Sequence, residues 1–195
     1  MKLIFRKEYD GNPDSLPHGK IKEGSIKFRE VDDITQAAIL FNVICFIITF
    51  GFIVILGMKY GFIKMMTSPS LFMGAIGSML VLFPHELLHA ICFKEEVYLY
   101  TALKKGMLFV IGLESMSKKR FVFMSMLPNI VFGFVPYFLA ILFPSLYFLG
   151  VFGAICIGMG AGDYYNVFNA LTQMPKNSYA YMHKMNTYWY LHDKN

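Results

Sequence analysis

Four apolar runs dominate the hydropathy pattern of the chain: TQAAILFNVICFIITFGFIVILGM at 35–58, PSLFMGAIGSMLVLFPHELLHAICF at 69–93, FVFMSMLPNIVFGFVPYFLAILF at 121–143 and SLYFLGVFGAICIGMGAGDYYNVF at 145–168. Each holds about 20 residues or more, enough for a helix rising ~1.5 Å per residue to cross a hydrocarbon core of ~30 Å. They predict an all-α integral membrane protein with four transmembrane helices. Between the second and third runs, EVYLYTALKKGMLFVIG at 96–112 sets β-branched and aromatic residues on both sides of a short turn, which predicts a small β-hairpin at the cytoplasmic face. The pattern divides the chain into a polar cytoplasmic arm at 1–34, a four-helix membrane domain at 35–168 and an interfacial or cytoplasmic tail at 169–195. The tail is rich in Tyr and carries the Trp, side chains suited to the headgroup region.

Composition agrees with this reading. Of 195 residues, 56% are apolar and only 16% charged, with a mean hydropathy of +0.49, outside the range of an average soluble domain. The arm mixes both charge signs and has no apolar core segment, so no cleavable signal peptide is expected. Sixteen Lys and Arg fall before the first run, between the second and third, and after the fourth, against two between the first and second. That asymmetry predicts a multi-pass cell-membrane protein with both termini cytoplasmic. The net charge of +5 is spread over short loops and forms no stripe, which argues against a nucleic-acid partner. Cys45, Cys92 and Cys156 each lie inside an apolar run without paired spacing, so neither a disulfide framework nor a thiolate metal site is expected.

The candidate chemistry lies in the ionisable groups left among the apolar runs. Between Asp33 and Glu95 the only acidic residue is Glu86, and between Arg120 and Lys176 the only ionisable one of Asp, Glu, Lys, Arg and His is Asp163. Such groups cost roughly 2.5–3.5 kcal/mol each at depth and are usually partnered and functional. His85, Glu86 and His89 spell HExxH. Two histidines four apart share a helix face and can reach one metal, with the glutamate beside its open side as general base. A catalytic zinc takes a third protein ligand. Measured from the outer ends of their runs, His85 and Asp163 reach about the same depth, ~24 and ~27 Å, which nominates Asp163. Gly158, Gly160 and Gly162 would let the fourth helix approach the second. Asn129, about 12 Å into the third helix, is placed to hydrogen-bond a peptide substrate or its oxyanion, or else another helix beside a kink at Pro128.

Plainer readings stand beside these. HExxH alone is a weak motif, and a buried polar cluster without metal is its bland counterpart. For Asp163 the plainer reading is a helix-end residue near the headgroups. Asn166 and Asn169 are expected at the interface, His18, His183 and His192 in solvent, and SKKR at 117–120 as a positive anchor for the third helix.

Taken together, FPHELLHAICF, the strand-like loop after it, the KKRF helix start with LP inside it, GAGDYYNV and the closing MPKNSYAYMHKMNTYWYL resemble the bacterial membrane family labelled "putative zincin peptidase" over about residues 70–190. More distantly the chain is similar to the site-2 protease class of intramembrane zinc metalloproteases. That resemblance implies that His85 and His89 bind zinc, that Glu86 is the catalytic base and that Asp163 completes the site. The chain departs from the class at the aspartate, where Gly162-Asp163-Tyr164 stands in place of Leu-Asp-Gly or Asn-Pro-Asp-Gly. The function expected is a zinc metalloendopeptidase, one Zn2+ per chain, cleaving a membrane or membrane-adjacent protein near the cytoplasmic face. The 96–112 hairpin would receive the substrate as an added strand. The alternative is a non-catalytic binding, immunity or regulatory membrane protein with a structural metal or a buried polar cluster.

Overall fold

In the computed structural model, which describes residues 1–102 and 107–191, the apolar runs fold as helices, two unbroken and two bent. Helix α1, Ile34–Tyr60, starts where the Asp33 carboxylate accepts the Gln36 N–H at 2.8 Å, a cap that satisfies an otherwise orphaned donor. It stops at Gly61, whose φ of 89° is open to glycine. Helix α5, Lys118–Pro128, a π-helical turn Asn129–Phe134 and helix α6, Val135–Leu142, form one continuous rod of 25 residues. The chain therefore does not break at Pro128. These two helices are each long and apolar enough to cross a membrane.

The other two runs are bent. After the short α2, Phe62–Thr67, the second run forms α3, Ser70–Leu80, and α4, Leu82–Ala90, meeting at 42°. Pro84 has no N–H for the Leu80 carbonyl and its ring crowds that carbonyl, so the break falls one turn earlier, at Val81. The fourth run forms α7, Tyr147–Met159, and α8, Ala161–Gln173, which meet at 51° around Gly160. If each bent pair counts as one span, four spans are available; otherwise there are two.

The all-α architecture expected from the sequence is corrected by the strands. Besides β3, Glu96–Ala102, and β4, Met107–Gly112, there are β1, Lys2–Glu8, β2, Ile26–Lys27, β5, Met116–Ser117, β6, Ser178–His183, and β7, Asn186–Leu191. They form two sheets, ordered β1-β3-β4 and β2-β7-β6-β5, so the fold is mixed α and β. The antiparallel pair at 96–112 is present, from Val97 opposite Gly112 to Ala102 opposite Met107, while the Lys104-Lys105 turn and His192 lie outside the described residues. A parallel strand from the arm, with Lys2 opposite Glu96, makes it a sheet. The tail folds into a β6–β7 hairpin, flanked by β2 from the arm and β5. Phe28, Met116, Phe121, Ala170, Met174 and Ala180 bury a core joining this second sheet to α5 and α8. The physical reason for the misreading is range: β1 and β2 find their partners roughly 90 and 160 residues away, and a short strand with a remote partner looks locally like a polar arm.

Glycines set the helix spacing. A Cβ on Gly153 would stand 2.6 Å from the Gly133 carbonyl and 2.7 Å from the Tyr137 nitrogen, so α7 lies almost backbone to backbone against the π turn and α6. Gly74 on α3 meets Val151 of α7 in the same way. Gly158 packs on Cys45 and Thr49 of α1 and Gly160 on Asn129, whereas Gly162 makes only loose contact with Phe41. Gly158 and Gly160 thus admit α1 and Asn129, while the second run approaches the fourth through Gly74 on α3 instead.

The SKKR segment ties helix ends together. Lys118 Nζ donates to the Met174 carbonyl at 2.5 Å and the Leu171 carbonyl at 3.3 Å, at the end of α8. The Arg120 guanidinium donates to the Cys92 carbonyl just past α4 and pairs with Glu114 at 2.7 Å. Cations at these ends satisfy orphaned carbonyls and oppose the helix dipoles. Because backbone faces backbone at Gly153, Gly153→Ala should lower stability by about 1–3 kcal/mol through overpacking. Gly51→Ala, with open space around its Cβ, should not; thermal unfolding of both variants in detergent checks the contrast.

Candidate metal centre

The two helix breaks bring the isolated ionisable groups together. Helix α4 carries His85, Glu86 and His89, all buried. Asp163 lies in the first turn of α8, where the positive end of the helix dipole favours a carboxylate. His85 Nε2 lies 3.1 Å from Asp163 Oδ2, His89 Nε2 lies 3.1 Å from Asp163 Oδ1, and the two Nε2 atoms are 3.2 Å apart. Ligand atoms ~2.0–2.1 Å from a tetrahedral zinc stand about 3.3 Å from one another, close to the edges of this triangle. A second set of three donors, His85, His89 and Glu86, lies within 4.8 Å of one another. The triangle with Asp163 is the tighter one and matches the zinc radius better.

Proton bookkeeping also fits a cation. His89 Nδ1 is 2.9 Å from the Met124 carbonyl, which can only accept, so Nδ1 carries the proton. In the neutral imidazole, Nε2 then presents a lone pair to a carboxylate oxygen at 3.1 Å and to a second imidazole nitrogen at 3.2 Å. Lone pairs that converge on one point repel unless a proton or a metal cation sits between them. A carbonyl behind the distal nitrogen is the usual way a ligating histidine is held. The donor set thus fits zinc.

Glu86 lies outside the tight triangle. The Val110 N–H on β4 points at its carboxylate, and β4 is an edge strand of its sheet. Both line a cavity of about 350 Å³ with His85, His89 and Asp163. Asn129, 1% exposed, hydrogen-bonds within the protein: its Nδ2 donates to Asp163 Oδ2 at 2.7 Å and to the Ser125 carbonyl at 3.2 Å. Asn166 lines the cavity and Asn169 is buried, accepting from Gln173 at 3.0 Å, so neither is merely interfacial. His18 and His183 pack ring to ring, 5.4 Å apart, on the arm and the second sheet.

Two further contributors carry no local sequence signal, the Met124 carbonyl and the strap that joins β2 to α1. Glu30, Val31 and Asp32 of the strap line the same cavity. It is pinned by side chains: Thr187 N–H donates to Glu30 at 2.6 Å, Tyr165 accepts the Val31 N–H at 3.2 Å, and Asn186 donates to Asp32 at 2.9 Å. Burial pushes the Glu30 carboxyl up to about 7, against the opposing pull of Thr187, Asn186 and Lys27. A raised acid holds its proton longer in the folded chain than in the unfolded one, so its contribution to stability is complete below about 4.5 and is lost as pH rises through about 7. Glu30→Gln cannot ionise and keeps an acceptor for Thr187. Its melting temperature should therefore fall less than the parent's between about pH 5 and 8; parallel melting curves would count against this role.

Comparison with known protein families adds an independent finding. Residues 78–179 match the family described as "putative zincin peptidase", a span that contains His85, Glu86, His89, Asn129 and Asp163. No curated protein and no solved structure matches the chain. The family implies zinc, and the matched span is just over half of the 195 residues: the chain belongs to the putative zincin peptidase family.

Proposed function

We propose that this chain is a membrane-embedded zinc metalloendopeptidase of site-2 protease type, acting on a membrane or membrane-adjacent protein near the cytoplasmic face. The observation that carries the reading is the 3.1–3.2 Å triangle of His85, His89 and Asp163 nitrogen and oxygen atoms with Glu86 beside it. His85, His89 and Asp163 would hold one zinc ion per chain. Zinc in such a site supplies Lewis acidity, which acidifies water and polarises a carbonyl. Glu86 takes the proton from the attacking water and passes it to the leaving amide nitrogen, so that hydrolysis ends in a carboxylate and an amine. The apolar, exposed surface of α1, with Phe46, Ile47 and Phe50 facing outward, supports a lipid environment. The Lys and Arg bias supports cytoplasmic termini.

A helical substrate must open before its peptide bonds can react. Strand β3 has neighbours on both sides, and of the two edges, β1 and β4, it is β4 that lines the cavity and would take an added strand. With Val110 N–H directed outward, Leu108 two residues away shares that direction, whereas Phe109 pairs with Tyr100. Leu108→Pro should spare the sheet and the zinc content but lower cleavage more than 10-fold. Cleavage at the parent rate would remove β4 from substrate binding.

One observation favours the second reading, a structural metal in a non-catalytic binding protein: the Glu86 carboxylate is also within 4.8 Å of both histidines and would close the site as a fourth ligand. Metal content of detergent-purified parent, His85→Ala, His89→Ala, Asp163→Ala and Glu86→Gln separates the two. The peptidase reading expects about one zinc in the parent and in Glu86→Gln, and loss in the other three, with new protein termini in parent membranes that are missing from Glu86→Gln membranes. Loss of zinc from Glu86→Gln would favour the closed structural site.

A further inference from the structure

We infer that Pro128 and Asn129, adjacent in the chain, form the positioning element of the metal centre, Pro128 acting on His89 and Asn129 on Asp163. The inference rests on the zinc reading above and assigns neither residue to the substrate.

Pro128 acts through what it lacks. In an α-helix the N–H of residue 128 would bond the carbonyl of residue 124. Proline has no N–H, so the Met124 carbonyl is left without its helical donor, and a buried carbonyl needs one. His89 Nδ1 supplies it at 2.9 Å. That bond fixes the ring plane of His89 and the tautomer that leaves Nε2 facing His85 and Asp163.

Asn129 holds the other ligand. Both acceptors around its Nδ2, the Ser125 carbonyl at 3.2 Å and Asp163 Oδ2 at 2.7 Å, are oxygens that cannot donate. The amide is therefore oriented with nitrogen toward them, and its two N–H bonds are both spent. Nothing remains for an oxyanion, which replaces the substrate-binding role read from the sequence. The Tyr164 hydroxyl faces Asn129 Oδ1 at 3.4 Å. A Cβ at position 160 would overlap the Asn129 carboxamide, so the glycine at the α7–α8 break makes room for this rotamer. The π-helical turn begins at Asn129, within reach of Pro136, which again lacks the N–H that a regular turn would use. Pro128 and Gly160 thus bear on the placement of two ligands.

The test is zinc affinity by chelator competition, and the visible spectrum of the cobalt-substituted protein, on the full chain in detergent. The variants are Asn129→Leu, close in size but without N–H groups, Gly160→Ala and Pro128→Ala. Asn129→Leu and Gly160→Ala should weaken zinc about 10- to 100-fold, as loss of a partner to a metal ligand does, and shift the cobalt bands. Pro128→Ala should weaken zinc while the metal-free protein melts at the same or a higher temperature, since alanine is the better helix former; damage to packing would move the two readouts together. Asn129→Leu binding zinc as the parent does, but cleaving poorly, would overturn the inference in favour of a substrate role. Pro128→Ala at parent affinity would overturn the part assigned to Pro128. If Asn129→Leu fails to fold, Gly160→Ala alone decides, parent affinity counting against. A parent that binds no zinc overturns the inference together with the reading beneath it, whereas His85→Ala losing zinc while these variants keep it overturns the inference alone.

Discussion

Two imidazole nitrogens and the two oxygens of one carboxylate, in contacts of 3.1–3.2 Å within an apolar helical body, are the arrangement on which the rest of this structure turns. Lone pairs brought that close repel unless a proton or a metal cation lies among them, and ionisable groups buried in an apolar interior are costly unless partnered. The chain meets both demands by interrupting its helices. The bend at Val81 aims α4, and the bend at Gly160 makes Asp163 a first-turn residue of a new helix. An unbroken helix would have no dipole end at that point to favour the carboxylate.

The supporting structure follows from the same constraint. The ligands come from α4 and α8, and their partners from α5 and the turn after it, so these helices must keep their relative positions. Lys118 and Arg120 bind the carbonyls at the ends of α8 and α4, respectively. The second sheet packs on α5 and α8 through Phe121, Met174 and Ala180. The first sheet brings β4 beside Glu86, and the strap carrying Glu30 runs along the same cavity. Strand β4 of the expected hairpin and the unexpected strap after β2 thus supply one wall of the candidate site.

Several readings changed for identifiable reasons. SKKR has the composition of a membrane anchor, but composition does not show that two of its cations reach carbonyls belonging to other helices. Asn129 lay at a suitable depth for a substrate contact, yet depth says nothing about azimuth; the π turn and Gly160 point its amide at Asp163. Gly158 and Gly160 do mark close approach, but what they admit is α1 and Asn129.

By itself the sequence determined the apolar runs, the HExxH spacing that puts two imidazoles on one helix face, the isolation of Asp163 and the hairpin at 96–112, because each depends on residues near one another in the chain or on what is missing from a run. Only the tertiary structure decided that Asp163 meets both histidines, that Asn129 and the Met124 carbonyl hold those ligands, and that arm and tail enter two sheets. Those contacts join residues 34 to 163 positions apart. Bonds over such distances are set by where helices bend and which faces pack, and neither periodicity nor motif spacing encodes that directly.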